Sequence, residues 1–154
     1  MPKIDKANAP TGSGTRYPPP FDAPCRDRIW RRLGDAAGLT QFGVNLLRLD
    51  PGVWSSQRHW HTHEDEFVYV LAGEVVLVTD AGEETLAPGD CAGFKAGVRD
   101  GHCLQNRSDA PAEILVVGSR HAEDHGEYSD IDMKFTAGRY SGNGAYLKKD
   151  GTPR

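Results

Sequence analysis

Short runs of β-branched and aromatic residues, separated by turns that contain Gly and Pro, recur between residues 42 and 119. The clearest runs cover residues 42–49, 66–71, 74–79 and 112–119. Turn-forming sequences lie between them, such as Asp50-Pro51-Gly52 and Pro88-Gly89-Asp90. No window has the apolar spacing of a long amphipathic helix. Short strands with turns at intervals of about 8–12 residues predict an all-β sandwich or barrel.

Segments 66–71 and 74–79 are the strongest candidates for a β-hairpin. Their sequences, EFVYVL and EVVLVT, are rich in β-branched residues, and Ala72-Gly73 separates them. A short connection that contains Gly is typical of hairpin turns. We therefore predict that these two strands pair with each other.

The length of 154 residues fits one domain, because two halves would each be too small to bury a core easily. Residues 1–20 are rich in Pro, Gly, Ser and Asn, which predicts a flexible, extended N-terminal arm. Residues 21–120 hold the predicted strands and form the barrel domain. Residues 121–154 are acidic and then Gly-rich, and we expect an irregular C-terminal tail packed on the barrel or on a partner.

Charge and composition narrow the possible functions. A net charge of -4 gives no broad basic surface for nucleic acid. No apolar stretch approaches the roughly 18 residues of a membrane span, so we expect no membrane contact. The three cysteines form no close-spaced pair, and the polar N-terminus does not resemble a secretory signal. These features predict reduced thiols in a cytoplasmic protein.

Residues 58–66, RHWHTHEDE, carry the strongest signal for chemistry. Side chains alternate along a strand, so His59 and His61 point to the same side, roughly 7 Å apart. Glu66 begins the next strand and can fold back to supply a carboxylate oxygen, and His102 opens a later strand. Three imidazoles and one carboxylate suit transition metals and suit Ca or Mg poorly. We predict one divalent transition metal per chain (Zn, Mn, Fe or Ni), bound by His59, His61, Glu66 and His102.

Other charged residues near this segment leave alternatives open. His63 lies on the same alternating phase and is a rival metal ligand. It sits in the predicted bend beside Glu64 and Asp65, so we favour exposure to solvent for all three side chains, although either acidic residue is also a candidate to support a ligand.

Arginines form a second charged feature. Residues 26–32 carry four arginines around Ile29 and Trp30. This pattern favours a solvated strand with one buried face, with an anion site as the alternative. Arg48 and Arg58 are possible anchors for an anionic substrate, although exposed charge is the favoured interpretation for both.

The spacing of the predicted ligands resembles the first motif of the cupin superfamily. That motif pairs two His one residue apart with a Glu and then a Gly. Here His59-x-His61 is followed after four residues by Glu66, and after six more by Gly73. Gly52 stands in the place of the leading glycine, one residue farther from the first His than usual.

The second cupin motif is less regular in this chain. Gly97, His102 and Asn106 fit it, whereas Lys95 replaces the usual Pro and the loop before the His is two residues longer. The two motifs cover residues 52–106, and the strand pattern extends the resemblance to roughly 40–120.

The resemblance implies a jelly-roll barrel (a double-stranded β-helix) that holds a metal and a small-molecule ligand. It also implies a homodimer, because small cupins commonly bury a sheet against a partner; the arm or tail is a candidate for exchange between subunits. Trp54, Trp60, Phe67 and Tyr69 lie on the phase opposite the ligands, and we expect them to pack between sheets or subunits.

Two classes of function agree with this resemblance. The first is a metalloenzyme, an isomerase, lyase or dioxygenase, that acts on a sugar derivative or organic acid with the metal as Lewis acid. In this class Glu66 is the candidate catalytic residue, because a loosely held carboxylate can also move a proton. The second is a non-catalytic small-molecule-binding or sensor protein with a structural metal. Fold and metal alone do not separate the two classes.

Overall fold

The computed structural model describes residues 3–154, and nearly all of its regular structure is β. The helices are a 3₁₀ turn at Ala23–Cys25 and the one-turn helix α1 at Leu33–Ala36. The all-β prediction is confirmed. The strands are β1 (Thr11–Ser13), β2 (Ile29–Arg32), β3 (Phe42–Leu49), β4 (His59–His61), β5 (Glu66–Ala72), β6 (Val75–Thr79), β7 (Gly82–Leu86), β8 (Cys91–Phe94), β9 (Cys103–Gln105), β10 (Ala112–Ser119), β11 (Gly126–Tyr128), β12 (Lys134–Phe135) and β13 (Tyr146–Leu147).

The strands form two facing layers in the manner of a jelly roll. One layer is an antiparallel six-stranded sheet in the order β1-β2-β3-β10-β5-β8. The other layer consists of a three-stranded sheet, β7-β6-β9, and a four-stranded sheet, β13-β12-β11-β4. An isolated bridge between His59 and His102 joins these two smaller sheets. His59 and His102 therefore lie where the two smaller sheets meet, whereas Glu66 begins β5 in the six-stranded sheet.

Alternation of side chains along the strands places the core between the layers. In β5, Val68 and Val70 are buried, whereas Phe67 and Tyr69 are exposed on the outer face. The main core draws on both layers, which shows that the sheets pack face to face. Its buried members are Leu47, Leu49, Val53, Val68, Val70, Val75, Leu77, Leu86, Leu104, Ala112 and Ile114.

The predicted hairpin between segments 66–71 and 74–79 is wrong. Strand β5 pairs with β8 and β10, whereas β6 pairs with β7 and β9 in the other layer. Gly73, with φ of +72°, carries the chain between the layers, and a Cβ there would lie 2.4 Å from the carbonyl oxygen of Pro111. Both strands bury alternate residues in one core, so their apolar pattern fits a crossover as well as a hairpin.

Both ends of the chain take part in the sheets. In the predicted arm, β1 pairs with β2, and Tyr17 is buried. In the predicted tail, β11 pairs with β4, and β12 and β13 continue that sheet. A second buried cluster joins the two ends, with Tyr17, Cys25, Tyr128, Met133 and Phe135 as its members. The boundaries at residues 20 and 120 stay a prediction. Within residues 3–154, no helix has the length and apolar character needed to span a membrane.

Candidate functional site

Three of the predicted ligands converge at the junction of β4 and β5. His59 Nε2 lies 3.1 Å from His61 Nε2, and the carboxylate atom Glu66 Oε2 lies 3.9 Å and 3.5 Å from these two nitrogens. Each of the three residues offers one ligand atom within 4.8 Å of the others. We refer to His59, His61 and Glu66 as the His/Glu cluster. The alternation of β4 brings the two imidazoles to one side, as the sequence predicts.

Backbone and carboxylate partners fix the tautomers of both imidazoles. His59 Nδ1 lies 2.9 Å from the carbonyl oxygen of Gln57, and His61 Nδ1 lies 2.7 Å from Asp124 Oδ2. Both partners only accept hydrogen bonds, so both Nδ1 atoms carry a proton, and in the neutral imidazoles both Nε2 atoms keep a lone pair. Between two neutral imidazoles of this tautomer, the contact of 3.1 Å between the Nε2 atoms is not a hydrogen bond. Two bare imidazole nitrogens and a carboxylate are a donor set that fits a divalent transition metal.

His102 reaches this site despite the longer loop that precedes it. Its backbone N–H donates to the carbonyl oxygen of His59 at 2.9 Å, and the return bond is 3.2 Å long. Its side-chain Nε2 lies 2.8 Å from Glu66 Oε2, and its ring stacks on Phe94 with a centroid distance of 3.5 Å. His102 therefore contacts the His/Glu cluster through the Glu66 carboxylate. Its role as a fourth ligand stays a prediction.

The charge states of His59 and Glu66 suit metal binding at neutral pH. Burial, together with the nearby His61 and His102, lowers the pKa of His59 to about 3, so its imidazole is neutral. Burial opposes ionisation of Glu66, but the hydrogen bond from His102 and the neighbouring imidazoles outweigh burial and lower its pKa. Burial also opposes protonation of His61, but the hydrogen bond to Asp124 outweighs it and raises its pKa, so a metal competes with a proton for His61 Nε2.

Behind His61 lies a buried ion network that the sequence did not predict. Asp124 and Glu64 are 1% and 4% exposed. Arg139 lies between them, 3.0 Å from Asp124 Oδ2 and in direct contact with Glu64 Oε2. The hydroxyl of Tyr140 also donates to Glu64 at 3.0 Å. His61, Glu64 and Asp124 also lie within 4.8 Å of one another, but the Arg139 guanidinium already pairs with both carboxylates of this group.

Solvent exposure of Glu64 is therefore a wrong prediction. A buried carboxylate requires a cation or several donors, and the cation here is Arg139, which follows Glu64 by 75 residues. No local pattern around Glu64 could indicate that partner.

His63, the rival ligand, does not belong to the His/Glu cluster in this structure. Its side chain is exposed and stacks on His121, with a centroid distance of 4.8 Å and an interplanar angle of 12°. Its Nδ1 lies 2.8 Å from the hydroxyl of Thr62.

The two arginines considered as substrate anchors lie outside the cavity beside the cluster. Arg48 is exposed and pairs with Asp50 at 2.9 Å. The Arg58 side chain is only 15% exposed, because Asp130 binds it at 2.7 Å and Asp80 contacts it directly. The exposed-charge interpretation is wrong for Arg58, and both of its partners are distant in sequence.

A cavity of about 600 Å³ opens onto the cluster. Its lining includes all four predicted ligands, apolar side chains such as Val68 and Val116, and several arginines. Convergent polar groups in a partly apolar cavity of this size are typical of small-molecule sites.

Comparison with known proteins identifies the family. Residues 45–118 match the cupin domain family Cupin_2. The chain is 48% identical to a sugar phosphate isomerase of the cupin superfamily from Silicibacter pomeroyi, over 99% of this chain and 96% of that chain, with a TM-score of 0.94. A search of curated proteins gave no match. This protein belongs to the cupin superfamily.

Two further solved structures are informative. A protein named a candidate sugar phosphate isomerase, from Acidithiobacillus ferrooxidans, is 30% identical over 83% of this chain and 80% of that chain, with a TM-score of 0.75. The Cupin_2 domain of an XRE-family transcriptional regulator from Enterobacter cloacae is 25% identical over 61% of this chain and 97% of that chain, with a TM-score of 0.51. The family thus includes both isomerase-named proteins and a regulator domain.

Proposed function

We propose that this protein is a metal-dependent isomerase of a small phosphorylated sugar. The observation that carries the proposal is the convergence of the His59 and His61 Nε2 lone pairs with the Glu66 carboxylate at the wall of a 600 Å³ cavity. The two isomerase-named relatives support the reaction class. A metal bound by His59, His61 and Glu66, with His102 as a fourth ligand, supplies Lewis-acid polarisation of a substrate carbonyl or hydroxyl oxygen.

Glu66 is the residue best placed to move a proton. Conversion of an aldose to a ketose moves a proton from the carbon next to the carbonyl to the carbonyl carbon, so a base must hold that proton in between. The hydroxyl on the neighbouring carbon loses its proton as it becomes the new carbonyl, and the former carbonyl oxygen gains one. Glu66 lines the cavity, and its lowered pKa keeps it ionised, the form that a general base requires. Without a metal, the hydrogen bond of 2.8 Å from His102 Nε2 orients the carboxylate, and this nitrogen would give up its proton on becoming a ligand.

Incubation of the purified, metal-loaded protein with aldose phosphates in D₂O tests this proposal. NMR should show conversion to the ketose phosphate, with deuterium incorporated at the carbon that exchanges its proton. Glu66→Gln should abolish turnover, whereas the exposed and off-site His63→Ala should retain it. Absence of both isomerisation and deuterium exchange across pentose and hexose phosphates would contradict the proposal.

A non-catalytic sensor is the second candidate function. It is favoured by the similarity to the cupin domain of a transcriptional regulator. The match covers 97% of that domain's chain. A sensor would bind the sugar phosphate at the same cavity and leave it unchanged. Ligand binding detected by a thermal shift, without deuterium exchange, would favour this candidate over the isomerase.

We also propose that the protein forms a homodimer through the outer face of the six-stranded sheet. Phe67, Tyr69 and Leu71 of β5 are 38–42% exposed on this face. Their neighbours across β10 and β3, by strand register, are also apolar: Leu115 and Val117, then Leu46 and Val44. Contiguous apolar area of this kind is unusual on a monomer.

The occupant we infer is a second copy of the chain. At one end of the apolar face, Arg48 and Glu113 are register partners, so the face carries both signs of charge side by side. A surface that combines a flat apolar centre with both charges can be complementary to itself under two-fold rotation.

A further inference from the structure

The cavity beside the His/Glu cluster has an excess of positive charge. Four arginines line it, whereas Glu66 is the one carboxylate in its lining among the described residues. Arg139 is neutralised by the buried Glu64 and Asp124. The excess positive charge of the cavity therefore comes from the other three arginines.

These three arginines, Arg16, Arg28 and Arg32, lack close carboxylate partners. Within residues 3–154, no ion pair involves Arg16 or Arg28. Arg32 approaches Asp35 only at 3.9 Å, with 49% of its side chain exposed. Uncompensated guanidinium groups around a cavity favour an anionic ligand.

Strand register places Arg32 on the cavity side of the sheet. Arg32 is paired with Asn45, Asn45 with Val116, and Val116 with Val68, which is buried in the core. Paired residues in neighbouring strands share a face, so Arg32 faces inward. The guanidinium carbon lies 4.0 Å from the centroid of the Trp30 ring, which also lines the cavity. Three strand spacings of about 4.8 Å put the Cα of Arg32 roughly 14 Å from that of Val68.

Arg28 is held in place by two backbone carbonyls. Its Nε donates to the carbonyl oxygen of Gly14 at 2.9 Å, and an Nη donates to the carbonyl oxygen of Ser55. The guanidinium also lies over the ring of the buried Tyr17, 5.9 Å from its centroid. These contacts position the cation without neutralising it, which suits a preorganised binding group.

We propose that Arg16 and Arg32 form the subsite for the phosphate group of the substrate, at the end of the cavity away from the His/Glu cluster, and that Arg28 adds positive charge to the same cavity. The inference rests on the proposed function, because it assigns the two ends of one sugar phosphate to two parts of the cavity. Guanidinium groups match phosphate in charge and in hydrogen-bond geometry. The sheet width between Arg32 and β5 leaves room for a chain of several carbons between the phosphate and the cluster. In this account the N-terminal segment and β2 determine specificity for phosphorylated substrates.

Titration of inorganic phosphate into the purified protein by isothermal calorimetry tests the subsite, with metal content measured in the same samples. Arg32→Gln and Arg16→Gln should each weaken phosphate binding about tenfold or more, with metal content unchanged. Arg26→Gln is the matched control, because Arg26 belongs to the same arginine-rich segment but pairs with Asp22 outside the cavity. Undetectable phosphate binding by the parental protein at millimolar concentrations, or equal affinity in the arginine variants, would overturn the subsite.

Turnover assays separate the subsite from the isomerase proposal. If the protein isomerises a sugar phosphate, Arg32→Gln should raise KM for it about tenfold with a smaller effect on kcat, and should not affect a neutral parent sugar. Isomerisation with an unchanged KM would overturn the subsite and leave the isomerase in place. Arginine-dependent phosphate binding without any isomerisation would retain the subsite and contradict the isomerase.

Discussion

Asp124 Oδ2 accepts a hydrogen bond from His61 Nδ1 at 2.7 Å, and the carboxylate is in turn bound by Arg139 at 3.0 Å. The hydrogen bond to Asp124 fixes the tautomer that leaves His61 Nε2 free to bind a metal. Asp124 and Arg139 both come from the C-terminal segment, so that segment supports the site besides extending a sheet.

Removal of the Asp124 charge should weaken metal binding without removing a ligand. Asp124→Asn is expected to raise the metal dissociation constant about 10- to 100-fold, because the neutral amide orients and polarises His61 less well. Competition with a chromophoric chelator measures the constant. The exposed Asp109→Asn is the control and should leave it unchanged. Equal constants for Asp124→Asn and the parental protein would show that Asp124 does not support His61.

The two glycines of the first cupin motif should differ in their tolerance of a side chain. Both have positive φ, but a Cβ at Gly52 meets nothing within 4 Å, whereas at Gly73 it would lie 2.4 Å from the Pro111 oxygen. Gly52→Ala should cost about 1–2 kcal/mol, the usual penalty of the left-handed region. Gly73→Ala should lower the free energy of unfolding by a larger amount. Urea denaturation compares them, and equal losses would contradict the crowding at Gly73.

A charge on the outer sheet face should dissociate the proposed dimer. Tyr69→Asp places a carboxylate at the centre of the apolar face, where burial of an unpaired charge is unfavourable. Light scattering coupled to gel filtration should show a dimer for the parental protein and a monomer for the variant. Val98→Asp, at a residue 50% exposed outside this face, should remain a dimer. A monomeric parental protein would contradict the proposal.

The ion pair between Arg58 and Asp130 should stabilise the fold in a pH-dependent way. The hydrogen bond from Arg58 lowers the pKa of Asp130, so the unfolded chain binds a proton at higher pH than the folded protein does. The stabilisation is therefore fully present above the unfolded pKa of about 4 and is lost as pH falls through the lower folded pKa. Because Asp130 is 59% exposed, we expect only about 0.2–1 kcal/mol.

Melting temperatures of the parental protein and Asp130→Asn measure this contribution. The difference between them should be constant from about pH 7 to about pH 5 and should shrink toward about pH 3. A difference that grows in acid would reverse the predicted sign.

The strand pattern was sufficient to predict the fold class. Segments 42–49 and 112–119 form β3 and β10 with the predicted bounds, because each is an apolar-rich run next to a turn sequence. Strand partners were less predictable, since β5 and β6 bury alternate residues whether or not they pair with each other. The turn at Gly73 resembles a hairpin turn locally, and the partners of β5 and β6 in different sheets distinguish the crossover.

The candidate site was also predictable only in part. The proximity of His59, His61 and Glu66 follows from strand alternation and a short bend, which are local features. The support from Arg139 to Asp124 and Glu64 depends on contacts between residues far apart in the chain. Periodicity does not encode such contacts.

Metal content of the protein, purified without an affinity tag or chelator, tests the central claim most directly. Elemental analysis should find one divalent transition metal per chain, and His59→Ala and His61→Ala should lose it. His102→Ala should retain part of the affinity, because the lone-pair nitrogens of His59 and His61 remain, and the exposed His63→Ala should retain full occupancy. Folded parental protein without metal, or His59→Ala and His61→Ala variants that bind metal as well as the parental protein does, would contradict the account.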